Sequence, residues 1–504
     1  MKIFSTNQVR KADIYTIAHE PIASIDLMER AAESCFNWLI ENTDYKNKQY
    51  IIFCGTGNNG GDGLAVARML TEKKAKVCTF ILDYGSGKSK DFALNEGRLK
   101  NTQKSKILYL TPESSLPKLN ADDIIVDAIF GSGLNKPVTG FPAEVINHIN
   151  ACSCFTISVD IPSGLFGDDN RGNNGAIVKA DVTLSLQFPK MSFFFPDSGP
   201  YAGQWVIVPI GLHPDFISRE ETSVYFTLKE DVKPLLKKRN KFAHKGHFGH
   251  ALLIAGAKGK AGAAVLAARA CLRTGVGLLT THLPACMADI MQTAVPEAMV
   301  NADFCVEHIK ECPTLVTYAA VAAGPGLGKH DDTKNALEIL LRQCLNPLIL
   351  DADALNIISE NPEFKNHLPA HSIITPHVKE FERFAGRHFG NSFERFEHQK
   401  ALSVKHKIYI VLKGAYTCIT TPEGTAHFNA TGNPGMATGG SGDVLTGILL
   451  GLLAQGYSSF ECAVTGVYIH GLAGDLAAAD LTEHAIIATD IINYIPMAYK
   501  YLLS

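Results

Sequence analysis

Short apolar runs recur along the whole chain, and almost none of them alternates with polar residues. In the first half they fall at 50–54, 77–82, 124–127, 155–160, 182–186 and 205–208. In the second half they fall at 251–255, 277–281, 315–323, 348–351, 372–375 and 408–412. Near-continuous runs of this length suit parallel strands covered on both faces, and helical stretches separate them. One such helix is opened by a capping-box pair, Ser5 and Gln8, and an amphipathic helix follows at 25–42. Right-handed βαβ connections then predict an α/β fold: two doubly wound, three-layer domains. A chain of 504 residues is too long for one core, which agrees with two series of strands. Composition shifts between them, through a polar stretch at 211–222 and a basic connector at 233–241. The boundary is placed between 215 and 230, giving domains 1–220 and 228–504.

Charge excludes one class of partner. Basic residues number 47 and acidic residues 50, for a net charge of −3 and no basic stripe, so no nucleic acid is expected. The 12 cysteines include no C-x-x-C pair, which argues against a zinc ribbon, and they are expected to be free thiols in a reducing compartment. The opening MKIFSTNQVRK has no apolar core of a secretion signal. Uncharged stretches at 424–442 and 444–460 are too polar or too short to span a bilayer. The expectation is a cytoplasmic protein that needs no membrane. A homo-oligomer is also expected, with apolar helices such as 448–453 facing a second copy.

In doubly wound sheets ligands bind beyond the carboxyl ends of the strands. The first strand is followed by Gly55-Thr-Gly-Asn-Asn-Gly-Gly-Asp-Gly63. Gly55, Gly57 and Gly60 match G-x-G-x-x-G literally, and Asp83 ends the next strand where a ribose-binding acid would stand. Asn58, Asn59 and Asp62 are unusual in a pyrophosphate turn, because a carboxylate repels phosphate. A tight turn without ligand accounts for the glycines as well. Asp127 and Asp160 end two further strands, and Ser163 follows the second. Asn59, Asp127 and Ser163 offer hard oxygens of the kind alkali or alkaline-earth cations take. Asp160 suits general acid or base work, or the capping of a turn. Gly85-Ser-Gly-Lys-Ser89 is no phosphate-binding P-loop, because the position of the earlier glycine holds Leu82.

The densest signal is Thr431-Gly-Asn-Pro-Gly-Met-Ala-Thr-Gly-Gly-Ser-Gly-Asp443, running into a helical segment. Amides at Gly440, Ser441 and Gly442, backed by the helix dipole, would face a phosphoryl group. Asp443 beside them could accept a hydroxyl proton, or serve as a plain cap. Lys413 leaves a strand next to Gly414, as a nucleotide phosphate would require. Asp351 and Asp353 are equally suited to magnesium and to helix caps, and a histidine placed like His377 is more often structural. His244, His247 and His250 follow no zinc spacing.

NNGGDG, VDAIFGSG and SVDIPSG, in that order, resemble the NAD(P)H-hydrate epimerase domain over about residues 1–215. The resemblance implies a Rossmann-like domain that interconverts R and S hydrated NADH and NADPH. Implied substrate contacts are Asn58, Asn59, Gly60, Gly61 and Asp62, then Gly131, Ser132, Gly133 and Leu134. Asn135, Lys136, Pro137 and the catalytic Asp160 complete them. A potassium ion on Asn59, Asp127 and Ser163 is implied too. HKGHFGHALLIAG, AAGPGLG, LDADAL, TPHVKEFERF and GGSGD resemble the ADP-dependent NAD(P)H-hydrate dehydratase, with a ribokinase-like fold, from about 229 onward. That likeness implies dehydration of S-NAD(P)HX with ADP as phosphoryl donor, aided by Mg2+ and releasing AMP and phosphate. Implied substrate contacts are Ala263, Gly326, His377 and the catalytic Asp443. Nucleotide contacts are implied at Lys413, Gly414, Ala415, Tyr416 and Thr417. More are implied at Asn433, Pro434, Gly435, Met436 and Ala437, and at Thr438, Gly439, Gly440, Ser441 and Gly442. Val378 and Lys379 stand where the family's TPHPGEF has proline and glycine.

Three other readings fit parts of the pattern. A hydroxymethylpyrimidine or thiazole kinase would share GGSGD but release a phosphorylated product. A nucleotide-binding module without catalysis would not need its strand-tip acids. A Rossmann dehydrogenase in the first half would depend on Asp83.

Overall fold

Alternate residues of a single strand enter different cores, as a strand covered on both faces requires. Tyr50, Ile52 and Cys54 join one cluster of buried side chains, and Ile51 and Phe53 join another. Ala251 and Leu253 are divided in the same way from Leu252 and Ile254. The computed structural model describes residues 1–85, 87–102 and 104–504. They form two units, one holding Lys2–Thr222 and Asn391–Phe393, the other Met1, Ser223–Gly390 and Glu394–Ser504.

The first unit carries β1 (Gln49–Cys54), β2 (Lys76–Leu82), β3 (Lys106–Leu110), β4 (Ile124–Ala128), β5 (Phe155–Val159), β6 (Val182–Leu186) and β7 (Gln204–Val208). All pairs are parallel, in the order β3-β2-β1-β4-β5-β6-β7. Strand order reverses between β1 and β4, which opens a crevice beyond their carboxyl ends. β3 was not foreseen. It is an edge strand with Lys106, Leu108 and Tyr109 exposed, so it lacks the continuous apolar run of a central strand.

The second unit carries β8 (Val224–Thr227), β9 (His250–Ile254), β10 (Leu278–Leu283), β11 (Met299–Ala302) and β12 (Ala320–Ala323). It continues with β13 (Leu348–Leu350), β14 (Ile373–Ile374), β15 (Tyr409–Leu412), β16 (Cys418–Thr420) and β17 (Ala426–Asn429). Their order is β11-β10-β9-β12-β13-β14-β15-β16-β17-β8. The β15-β16 and β16-β17 pairs are antiparallel, so this sheet is mixed rather than wholly parallel. Tight connections allow such hairpins, whereas parallel neighbours need a crossover. β8 pairs with β17, Val224 opposite Ala426, so the second unit begins at Ser223, ahead of the expected 228. The run predicted over 315–323 is a strand only from Ala320, because a turn closes from the Tyr318 amide to the Leu315 carbonyl.

Helix Thr6–His19 carries the foreseen capping box, and Ser24–Asn42 is the foreseen amphipathic helix. The helix Ser459–Leu481 is long and apolar enough to cross a bilayer, yet 72% of its apolar window is buried within the protein. It packs as a core helix against Ser441–Ala454. Within the latter, Ile448, Leu449, Leu450, Leu452 and Leu453 are buried in that core, so they present no face to a second copy. The expectation that all cysteines are free also fails. Cys152 and Cys154 form a disulfide in the turn between Phe141–Asn150 and β5, their Cα atoms 5.3 Å apart. The other cysteines are free.

Candidate active sites

In the first unit the glycine run is not a loop. The helix Asn58–Glu72 starts immediately after Gly57, so Asn58 to Gly63 form its first turns. Close packing, rather than unusual backbone torsion, explains Gly55, Gly60, Gly61 and Gly63, whereas Gly57 has open space around it. A Cβ on Gly60 would lie 1.8 Å from the Gly55 carbonyl oxygen, and one on Gly63 would lie 2.6 Å from the Ala128 Cβ. Helix and β4 therefore meet closely, and the helix start and the loop that follows β4 border one cavity of about 560 Å³. Asn58, Asn59, Asp62, Gly131, Ser132, Gly133, Leu134 and Asp160 line it. Gly60 and Gly61 are buried behind it, and Asn135, Lys136 and Pro137 are exposed away from it. Asp83 is exposed at the end of β2 and does not line the cavity. The stretch 85–89 reaches one residue outside the described ones, Ser86. Ser89 itself caps the next helix by accepting from the Phe92 amide.

Asp160 sits just past β5 with φ of +67°, a left-handed conformation that costs a non-glycine residue about 1–2 kcal/mol. Its carboxylate accepts from the Ser132 amide at 3.0 Å and pairs with Lys190 Nζ at 2.8 Å. Lys190 is 3% exposed. Burial alone would raise the Asp160 carboxyl, but Lys190 and Ser132 together hold it below the usual carboxylate range. Asp13, on the helix Thr6–His19, faces the same cavity; burial and the charge of Asp160 push it up to about 6. Burial, Asp160 and Asp13 raise Asp62 far above its ordinary value. Asp13 and Lys190 were not singled out from the sequence. Only the motif-like spacing of strand tips was legible there, and neither residue belongs to a glycine run.

Below the cavity, Asp127 is fully buried at the end of β4. It accepts from Ser158 Oγ and the Ser163 amide, each at 2.8 Å, and from Ser163 Oγ. Ser163 Oγ also receives the Phe130 amide at 2.8 Å. Asn59 stands over Gly131, and its buried Nδ2 has no hydrogen-bond partner among the described residues. Asn59, Asp127 and Ser163 thus belong to one region, with oxygen donors around a buried carboxylate.

In the second unit the sheet order reverses between β9 and β12; Gly326 follows β12, His377 follows β14 and Lys413 follows β15, while Ala263 and Asp443 lie in the first turns of two helices. Gly326 (φ +60°) lies against Ala263, a Cβ on it being 3.1 Å from that of Ala263. Asp353 fixes this turn by accepting from the Gly328 amide at 2.8 Å and from Lys260 Nζ at 2.9 Å. His377 follows β14 and caps the helix Val378–Ala385, accepting from the Lys379 and Glu380 amides. Val378 and Lys379 are accommodated as its first helical residues. Lys413, at the end of β15, pairs with Asp351 at 3.2 Å and lies 3.9 Å from Glu380. Asp351 also accepts from Thr446 Oγ1 at 2.7 Å.

Gly440 has φ of +89° and lets the chain turn into the helix Ser441–Ala454, whose first-turn amides have no acceptor within the helix. A Cβ on Gly442 would stand 3.2 Å from Lys413 Nζ, so the lysine reaches the helix N-terminus. Asp443, in that first turn, is raised to about 6 by burial and then by the charges of Asp351, Asp353 and Glu380, with Lys413 opposing. His470 hydrogen-bonds the Ser441 carbonyl at 3.0 Å, and burial lowers it to about 4, so it is neutral. The earlier part of the loop folds on Asp475, which accepts from the Gly432 amide and Asn433 Nδ2, both at 2.9 Å. Pro434, Gly435 and Met436 make a short 3-10 turn, followed by Ala437, Thr438 and the open Gly439. Gly414 is equally open, with Ala415 exposed and Tyr416 and Thr417 half-buried before β16.

Residues 24–192 match the family model for the YjeF-related protein N-terminus, and residues 251–497 match that for NAD(P)H-hydrate dehydratase. The chain is 33% identical to a bifunctional NAD(P)H-hydrate repair enzyme of Moorella thermoacetica, over 100% of this chain and 97% of that one. It is 33% identical to the enzyme of the same name from Coxiella burnetii, over 98% of each. A solved ADP/ATP-dependent NAD(P)H-hydrate dehydratase of Bacillus subtilis, co-crystallized with ATP/Mg2+, is 30% identical over 56% of this chain and 100% of that one, with a TM-score of 0.47. Matched in both halves and along its whole length, the chain belongs to the family of bifunctional NAD(P)H-hydrate repair enzymes.

Proposed function

We propose that the first unit epimerises hydrated NADH and NADPH, and that the second uses ADP to dehydrate the S form, releasing AMP and phosphate. One observation carries the reading: each unit holds one aspartate of shifted acidity among strand-tip residues, Asp160 lining the cavity of the first unit and Asp443 beside Asp351, Lys413 and Glu380 in the second. In the first unit Asp160 is held ionised by Lys190, and Asp13 is held near neutrality. Neighbouring carboxyls with separated acidities make a base and an acid. Asp160 takes a proton from the hydrated ring, and Asp13 or Asp62 returns one during interconversion of the epimers. Asn59 Oδ1, Asp127 and Ser163 Oγ suit a potassium ion by donor chemistry, whereas the unpartnered Asn59 Nδ2 is an N–H donor left for a substrate acceptor. Such an ion would supply positive charge beneath the crevice.

In the second unit the Gly442 and Asp443 amides at the start of Ser441–Ala454 lie with the Lys413 ammonium where a phosphoryl group would be held, while the Ser441 amide donates to the Thr438 carbonyl at 3.4 Å. Asp443 removes the proton of the substrate hydroxyl as that oxygen is phosphorylated. Phosphate is a far better leaving group than hydroxide, so elimination restores the nicotinamide ring. Asp351 and Asp353 are each already paired with a lysine, so they form no free magnesium pocket. Magnesium is expected with the nucleotide, on its phosphate oxygens and water. The test supplies mixed NADHX epimers with and without ADP and follows the return of reduced-nicotinamide absorbance. Asp443→Ala should abolish ADP-dependent recovery and leave epimerisation intact; Asp160→Asn should do the reverse. Recovery by Asp443→Ala at the parent rate would remove that residue from the chemistry, and a phosphorylated product would favour a kinase.

A further inference from the structure

The loop after β11 and the loop before the helix Asp331–Gln343 bring together side chains that neither crevice uses. His308, His330 and Asp332 each offer a ligand atom, and these atoms lie within 4.8 Å of one another. His308 Nε2 is 3.1 Å from Asp332 Oδ2, and the rings of His308 and His330 stack with centroids 3.7 Å apart. Cys305 is a free thiol whose Sγ lies 3.4 Å from His308 Nδ1. A tetrahedral zinc ion with bonds of about 2.0–2.3 Å needs its ligands roughly 3–4 Å apart. We propose that His308, His330 and Asp332 bind a late first-row divalent cation of the zinc class, and that Cys305, whose Sγ lies beside His308 but outside the set of atoms within 4.8 Å of one another, turns in as the fourth ligand.

The donor chemistry selects that class. Two imidazoles and a thiol are poor ligands for magnesium, calcium or potassium and good ones for zinc. Charge balances as well: a dipositive ion meets one carboxylate and one thiolate, the thiol proton passing to water as the sulfur–metal bond forms. The scaffold beneath is set in advance. Asp303, 3% exposed, accepts from the amides of Cys305, Lys310 and Glu311 and so fixes the loop carrying Cys305 and His308. Opposite it, His330 Nδ1 accepts the Asp332 amide at 3.2 Å, a cap bond that it exchanges for the metal or keeps by turning its other nitrogen inward. An ion here ties the 303–311 loop to the segment that begins at Gly324 and carries Gly326. The site would thus steady one wall of the second crevice without touching the reacting groups.

The test uses the full chain, stripped of metal with a chelator. Zinc is titrated in competition with a chromophoric chelator, and cobalt is followed by absorbance. One zinc equivalent per chain should bind at micromolar concentration or tighter. His308→Ala and His330→Ala should each weaken it at least tenfold with unchanged far-ultraviolet circular dichroism. The thiolate-to-cobalt charge-transfer band should vanish in Cys305→Ser, and His244→Ala should change nothing. No competition by the parent chain up to millimolar zinc, or equal binding by the two histidine variants, overturns the site. A charge-transfer band that survives in Cys305→Ser overturns the sulfur ligand.

Discussion

Two aspartates of one chemistry are set to opposite states by what surrounds them. Asp160 has a buried lysine at 2.8 Å and stays ionised; Asp443 stands among Asp351, Asp353 and Glu380 with one shared lysine, and its carboxyl rises to about 6. As the base, Asp443 must be ionised, so kcat/KM for dehydration should fall below pH about 6 with single-proton dependence, measured by absorbance return across pH. The same shift bears on stability. With the folded acidity raised above the ordinary 3.8, the residue's favourable contribution is complete below that value and is lost as pH rises through about 6. Asp443→Asn should therefore unfold later than the parent at pH 8, by about 1–3 kcal/mol, and the gain should disappear near pH 4. Chemical denaturation at the two pH values checks it. Lys190→Met removes the charge that holds Asp160 down, so the acid limb of epimerisation should move up by about 1–3 pH units. An unmoved limb would mean that Asp160 is not the titrating base.

Among the elements, glycines mark close approach more often than flexible loops. The helix Ser441–Ala454 crosses Ala261–Arg273 so closely that a Cβ on Gly447 would lie 2.1 Å from the Ala267 carbonyl, and one on Gly451 1.9 Å from Thr274 Oγ1. In an exposed helix, glycine to alanine gains about 1 kcal/mol. Here Gly447→Ala should instead destabilise by at least about 2 kcal/mol, because backbone must move, and a urea melt reads the sign directly. The first glycine run was legible as a ligand-facing loop or a tight turn, but not as the start of a helix pressed on β4. Sequence spacing cannot distinguish a loop that wraps phosphate from a helix whose first turns press on the neighbouring strand.

At the scale of the whole molecule, where the chain divides matters more than that it divides. β8 belongs to the second sheet, pairing with β17, although it precedes the basic run that looked like the connector. A fragment starting at 228 should lose that strand and leave the β17 edge bare, with a lower melting temperature than one starting at 223, by scanning fluorimetry. If 228–504 melts as high as 223–504, β8 adds nothing.

The sequence alone determined which residues end strands, because burial on both faces writes continuous apolar runs and leaves the following Asp, Gly and Lys conspicuous. It located the tips that carry Asp127, Asp160, Asp351 and Lys413, and the glycine run that leads into the helix of Asp443. Tertiary structure decided what those tips meet. Lys190 pairs with Asp160 from 30 residues away, Asp13 comes from the first helix, and Lys413 reaches Asp351 across 62 positions. Such pairings are fixed by strand order and helix packing, which no local window of residues encodes. The edge strands β3 and β11 and the β8 pairing were hidden for the same reason, although β7 at the remaining edge was read at 205–208: a half-solvated strand carries little pattern of its own until its neighbour is known.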